Sequence, residues 1–128
     1  MKVFILPFGK IKILNPHIAE VIINEGVVMN SEDVDAYHDF LLSNLEAPFS
    51  LLVNKENSYT YTFDAQIKIA GLEEIQCMAV VLYNYNAEMA TKILIDLNKG
   101  NNWNIKLFKD RDEALNWLVR MRKNRAII

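Results

Sequence analysis

Ser50-Leu-Leu-Val-Asn-Lys-Glu-Asn-Ser-Tyr-Thr-Tyr-Thr-Phe-Asp64 is the stretch on which the reading of the chain turns. Leu51, Leu52 and Val53 form an uninterrupted apolar run, the pattern of a central strand covered on both faces. The run then breaks into amides, hydroxyls and aromatic rings. In open α/β sheets, ligands and partners meet the protein where strands end and helices begin, because backbone donors and loop side chains are left unpaired there. Lys55, Asn57, Ser58, Tyr59, Thr60 and Thr62 are therefore the candidate contact or switch residues. The second half of the stretch supports two readings. A short helix can run from Asp64 to Gly71, ending in a glycine suited to the left-handed conformation. Alternatively, Tyr59, Tyr61 and Phe63 share one face of a strand and Thr60 and Thr62 the other, in a hairpin with residues 50 to 54.

Upstream, Ile11 and Ile13 alternate with Lys10 and Lys12, and Ala19, Val21 and Ile23 oppose Ile18, Glu20 and Ile22. These are two strands, joined at Asn15-Pro16, where proline disfavours helix in the residue before it. Residues 3 to 6 add an edge strand, so the chain opens as an antiparallel hairpin or meander. Ser31 is the expected N-cap of a helix over about 32 to 45, with Glu32, Asp33 and Asp35 favoured by the dipole of its first turn. Val34, Tyr37, Leu41 and Leu45 follow at helical spacing, and Pro48 stops the helix.

Downstream, Cys77-Met-Ala-Val-Val-Leu-Tyr83 is the strongest buried-strand signal and belongs mid-sheet. Met89, Ile93 and Leu97 mark the next helix, with Glu88 and Lys92 paired one turn apart and Gly100 closing it. Trp103, Ile105 and Leu107 alternate with Asn104 and Lys106 as a peripheral strand. In the last helix, Asp110 and Glu113 have capping-box spacing, and Ala114, Trp117, Leu118 and Met121 fall on one face. The expected fold class is α/β, at the α+β boundary: one mixed sheet with about four helices, as a single domain over residues 1 to 128.

The composition, 52% apolar and 23% charged, is that of an ordinary globular chain, and a formal charge of −2 gives no general attraction to nucleic acid or an anionic membrane. No apolar run approaches the ~20 residues that span a bilayer. Met1 to Phe8 is too short an apolar segment for a signal peptide and reads as mature sequence. Cys77 is the sole cysteine, so no internal disulfide is possible and the expected compartment is the cytoplasm.

The order of elements, with the ending Phe108-Lys-Asp-Arg-Asp-Glu-Ala-Leu-Asn-Trp-Leu118, resembles the STAS domain class and within it the SpoIIAA-like group of anti-sigma-factor antagonists, an architecture also likened to Sec14-type lipid binders. The resemblance covers nearly the whole chain and implies a non-enzymatic, bacterial, cytoplasmic regulatory or scaffolding module acting through protein contacts. It further implies modulation at the loop 55–62, by phosphorylation in some members; the Asp-Ser-Ser-Gly type of signature is absent here, so no phosphoacceptor is assigned. The alternative it implies is a carrier of a small apolar or lipid ligand in a Sec14-like cleft.

Residue chemistry adds smaller expectations. Ser58, Thr60 and Thr62 can accept phosphate near a helix N-terminus, or serve simply as loop and cap hydroxyls. Lys55, Asn57 and Tyr59 can line a small pocket with Tyr61 and Phe63 as its wall, or the rings can join the core. His17 and His38 lack metal-ligand spacing, Cys77 reads as a small buried hydrophobe, and no nucleophile, phosphate-loop or dinucleotide pattern occurs. Neither a metal nor a cofactor is expected. Arg120, Arg122, Lys123 and Arg125 form a basic tail suited to the negative end of the last helix. Opposite it in charge, the acidic first helix allows head-to-tail or homodimeric association.

Overall fold

The computed structural model describes residues 1–101 and 104–127; the predicted strand position of Trp103 lies outside them. Strands β1 (Lys2–Leu6), β2 (Gly9–Asn15) and β3 (Ile18–Ile23) form the antiparallel meander, and β5 (Phe49–Lys55), β7 (Ile75–Leu82) and β8 (Ile105–Phe108) continue the sheet parallel to β3. The spatial order is β1-β2-β3-β5-β7-β8. Two further strands, β4 (Val28–Met29) and β6 (Thr60–Tyr61), pair in parallel as a separate ribbon. Thr60 and Tyr61 thus join Val28 and Met29 rather than making a hairpin with residues 50 to 54.

Helices α1 (Ser31–Asn44), α2 (Phe63–Lys68) and α3 (Tyr85–Leu97) contribute to one core cluster, and α4 (Arg111–Ile127) to the other. Val34, Tyr37, Leu41, Ala65, Ile69 and Leu94 meet Leu51, Val53, Met78 and Val80 on one face. On the other, Ala114, Trp117 and Leu118 cover Leu52, Cys77, Ala79 and Val81. Alternate residues of β5 and β7 therefore serve opposite cores, which is why their sequences are continuously apolar. Each such Val, Leu or Met side chain contributes about 1.5–3 kcal/mol by leaving water, and Ala79 less.

Several helix ends differ from the sequence reading. Asn30, not Ser31, caps α1: its side chain accepts from the Asp33 amide (2.8 Å), and Asp33 accepts from the Asn30 amide (3.0 Å). Thr62 caps α2, its hydroxyl accepting from the Ala65 amide. Neither Gly71 nor Gly100 takes a positive φ; among the described glycines only Gly26 does, in the turn after β3. Asn98 closes α3 instead, its amide group bonding the carbonyls of Leu94 and, on α2, Gln66. Asp110 accepts from the Glu113 amide at the start of α4, as the spacing predicts.

Candidate functional site

Lys55 is the last residue of β5 and extends the alternation of Leu51 and Val53, so its side chain leaves the sheet on the α1–α3 face. The chain that follows is tied down by its backbone and its amides. Asn57 donates to the Ile23 carbonyl (2.9 Å), Ser58 N–H donates to the Glu25 carboxylate (3.1 Å), and Gly26 N–H donates to the Ser58 carbonyl (2.7 Å). Thr60 and Thr62 amides donate to Val27 and Met29. The side chains of Ser58 and Thr60 remain exposed on a fixed loop.

Beneath this loop lies an apolar cavity of about 30 Å³ between the sheet and the helices, walled by residues that include Val21, Val53, Val80, Leu94, Tyr37, Tyr59 and Tyr61. Lys55 stands at its edge, with its ammonium 5.2 Å from the Tyr59 ring centroid and 5.9 Å from that of Tyr61. Among the described residues it makes no salt bridge, and burial pushes its pKa down to about 8. Burial also lifts all three phenols above their ordinary range. The Tyr59 hydroxyl is shielded from solvent, makes no well-formed hydrogen bond, and has the Tyr61 hydroxyl as its neighbour.

Outside the cavity, an open groove of about 390 Å³ runs between the loop and the start of α3, lined by Glu25, Asn57, Ser58, Thr60, Asn84 and Asn86 among others. Lys55 and Tyr59 belong to both walls. Beside the groove the exposed side of α3 carries Tyr85, Met89, Ile93 and Leu97 at successive i, i+4 positions, one continuous apolar row.

On the opposite face of the same sheet end sits a polar cluster. Glu20, in the middle of β3, is 1% exposed. Arg111, the first residue of α4, binds it with two hydrogen bonds (2.6 and 3.0 Å), and Asn54 donates a third (3.0 Å). Burial alone raises the Glu20 carboxyl pKa, but the bonds from Arg111 and Asn54, with the charges of Arg111 and Lys12, hold it below the ordinary carboxylate value.

This arrangement is similar to one solved structure in particular: an uncharacterized protein of the DUF3478 family from Shewanella loihica PV-4, described as having a SpoIIAA-like fold. The two superpose with a TM-score of 0.54 over 91% of this chain and 90% of that one, at 16% sequence identity. The fold is SpoIIAA-like. No protein-family model and no curated protein matches the chain.

Within this SpoIIAA-like frame, five of the six predicted residues, Lys55, Asn57, Ser58, Tyr59 and Thr60, line the groove together, while Thr62 is turned to capping α2. Phe63, expected as part of an aromatic wall, is 68% exposed at the start of α2. Tyr61 lines the cavity and, with Tyr59, packs against the core cluster. Arg122, expected at the negative end of the last helix, donates to the Pro48 carbonyl, and the side chain of Arg125 lies outside the described residues. His17 is engaged by Glu46, and His38 is buried on α1. Among the described residues no group of three His, Cys, Asp or Glu side chains could hold a metal ion, and no helix is long and apolar enough to cross a membrane. Two features escaped the sequence reading. Glu20 could have been noticed as a carboxylate inside Ile18-Ala-Glu-Val-Ile-Ile23, but nothing local names Arg111 as its partner. The Asn84–Asn86 wall could not be placed without the crossover that brings α3 beside the loop.

Proposed function

We propose that this protein is a non-enzymatic regulatory or scaffolding module that binds a protein partner at the carboxyl end of its sheet, through the loop 55–62 and the adjoining exposed face of α3. The observation that carries this reading is the apolar row on α3. Tyr85, Met89, Ile93 and Leu97 are 70%, 40%, 62% and 40% exposed, and Phe63 and Ile67 on the neighbouring α2 are 68% and 45% exposed. Together they present on the order of several hundred Å² of apolar surface, comparable with the largest patches of ordinary monomers, which are often functional. The fixed loop beside them offers exposed hydroxyls as a polar rim, the arrangement of a protein interface.

A pull-down from the source lysate tests this with three baits: wild type, a Lys55/Ser58/Thr60 triple alanine variant, and a Met89→Glu/Ile93→Glu variant. Loss of the same partners in both variants supports the reading. Recovery of one unchanged set by all three baits overturns it. A second copy of the chain would satisfy the same face, and sedimentation of the purified wild type against the α3 variant separates a homodimer from a different partner. The volume of the inner cavity, about 30 Å³, weighs against a lipid carrier, since it is an order of magnitude below that of ordinary small-molecule sites.

A further inference from the structure

We propose that the groove at the carboxyl end of the sheet is a receptor for a small organic carboxylate, its charged head received by the Lys55 ammonium beside the Tyr59 and Tyr61 rings and its body held among Asn57, Asn84 and Asn86. This site shares Lys55 and Ser58 with the loop proposed above as a protein contact but not the apolar face of α3, and it requires no protein partner.

Lys55 is the last residue of β5. A lysine at the end of a strand ordinarily lays its stem on apolar surface and carries its charge out to water. Here the ammonium is directed over two tyrosine rings, at the junction of the apolar cavity and the groove, and no described carboxylate pairs with it. The rings offer partial compensation, since such contacts are attractive but weaker than the hydration they replace. The depression of the amine toward about 8 has the same origin: burial withdraws more than the rings return. A buried cation of this kind is stabilised by an anion that enters with it.

Size and charge select the class of anion. The groove, at about 390 Å³, falls in the range of small-molecule sites, whereas the cavity below it, at about 30 Å³, is far smaller. The body of the ligand therefore rests in the groove, and a long chain is excluded. One ammonium balances one negative charge, and Glu25 is also in the wall, fixed by the Ser58 amide. A dianionic phosphate would face that carboxylate with a charge left over, so a carboxylate is preferred. The Asn86 amide, the Ser58 hydroxyl and the Nδ2 of Asn84, whose Oδ1 accepts from the Ala87 amide (2.8 Å) at the start of α3, supply neutral hydrogen bonds to polar atoms of the body.

The titratable groups of the two walls are Glu25, Lys55 and the phenols of Tyr37, Tyr59 and Tyr61. Burial lifts the phenols away from neutrality and brings Lys55 toward it. Affinity should accordingly fall about tenfold per pH unit once the amine loses its proton above pH about 8.

Amide NMR of the full-length protein, titrated at pH 7 with 4-hydroxybenzoate, with 3-hydroxybutyrate and with inorganic phosphate at constant ionic strength, tests the proposal. Either carboxylate should shift the side-chain amide signals of Asn57, Asn84 and Asn86 saturably and bind more tightly than phosphate. Lys55→Met should weaken binding at least tenfold, and Lys55→Arg, which keeps the charge, should retain it within a few fold. Tighter binding of phosphate, shifts that survive in Lys55→Met, or no saturable shift with either carboxylate up to about 10 mM would each overturn it.

Discussion

At the scale of the residue, two charged side chains at the carboxyl end of the sheet behave oppositely. Glu20 is buried and fully engaged: Arg111 grips both carboxylate oxygens and Asn54 adds a third bond. Truncating one member of such a pair strands the other, which costs 3–5 kcal/mol where both are enclosed. Arg111 is 38% exposed and can turn to water, so Glu20→Ala should cost less, about 2–3 kcal/mol, read as a fall in the denaturant midpoint. A loss below about 0.5 kcal/mol would mean that the pair is surface-like. Lys55 is half-buried and unpaired. Its burial is a cost to the folded state, so Lys55→Met, which keeps the apolar stem, should raise stability at pH 7 by about 1–2 kcal/mol. A thermal melt lower than wild type would contradict this. A variant that gains stability while losing carboxylate binding could not owe that loss to misfolding.

At the scale of the element, the antiparallel meander depends on Gly9. A Cβ built there would overlap the carbonyl oxygen of Ile22 and lie 2.9 Å from the Ile23 Cα, both backbone atoms of the neighbouring strand. Neither can move without breaking the pairing of β2 with β3, so Gly9→Ala should cost about 2–3 kcal/mol and loosen amide protection across Gly9–Ile13 and Ala19–Ile23. Unchanged hydrogen exchange in that ladder would show that the strands accommodate the methyl. The elements that could be read from the sequence are those whose period runs long enough to be counted. The apolar run of Met78–Leu82, the row Val34, Tyr37, Leu41 in α1, and Ala114, Trp117, Leu118 in α4 each bury one chemical kind of residue at a fixed spacing. The β4–β6 ribbon was illegible because two residues carry no period, and its partners lie 32 residues apart, Val28 with Thr60. Asn30 and Ser31 are both good caps, and only the reciprocal bonds with Asp33 decide between them. The candidate site was half legible for the same reason: the loop is continuous in sequence, whereas the groove's other wall arrives on a crossover.

At the scale of the whole molecule, the ionisable groups that folding encloses set a pH profile whose sign can be worked out. His38 is buried on α1 against the Tyr37 ring, and its Nε2 has no partner among the described atoms. Burial depresses its pKa, partly offset by a backbone bond at Ile69 and by Asp35 and Asp39. The unfolded chain therefore binds this proton more readily, and stability must fall as the pH drops below about 6.5. Glu20 follows lower down. Its carboxyl is held below 4.5 in the folded state, so the unfolded chain takes up that proton first, and a second loss begins below about 4.5. Each step can remove at most about 1.4 kcal/mol per pH unit. On the alkaline side Lys55 acts in reverse: the unfolded chain keeps its lysine proton up to about 10.5 while the folded chain releases it near 8, so between these values stability rises with pH. Above about 10 the buried phenols reverse the trend, since the unfolded chain ionises its tyrosines first. Urea titrations at half-unit pH steps should thus give a maximum on the alkaline side of neutrality and two separable acid steps. His38→Leu should abolish the first step and leave the second, and Glu20→Gln should do the opposite. A wild-type profile flat between pH 7 and 5.5 would show that the imidazole reaches solvent and that α1 is not seated on the sheet as described, and a first step that persists in His38→Leu would assign that step to another group.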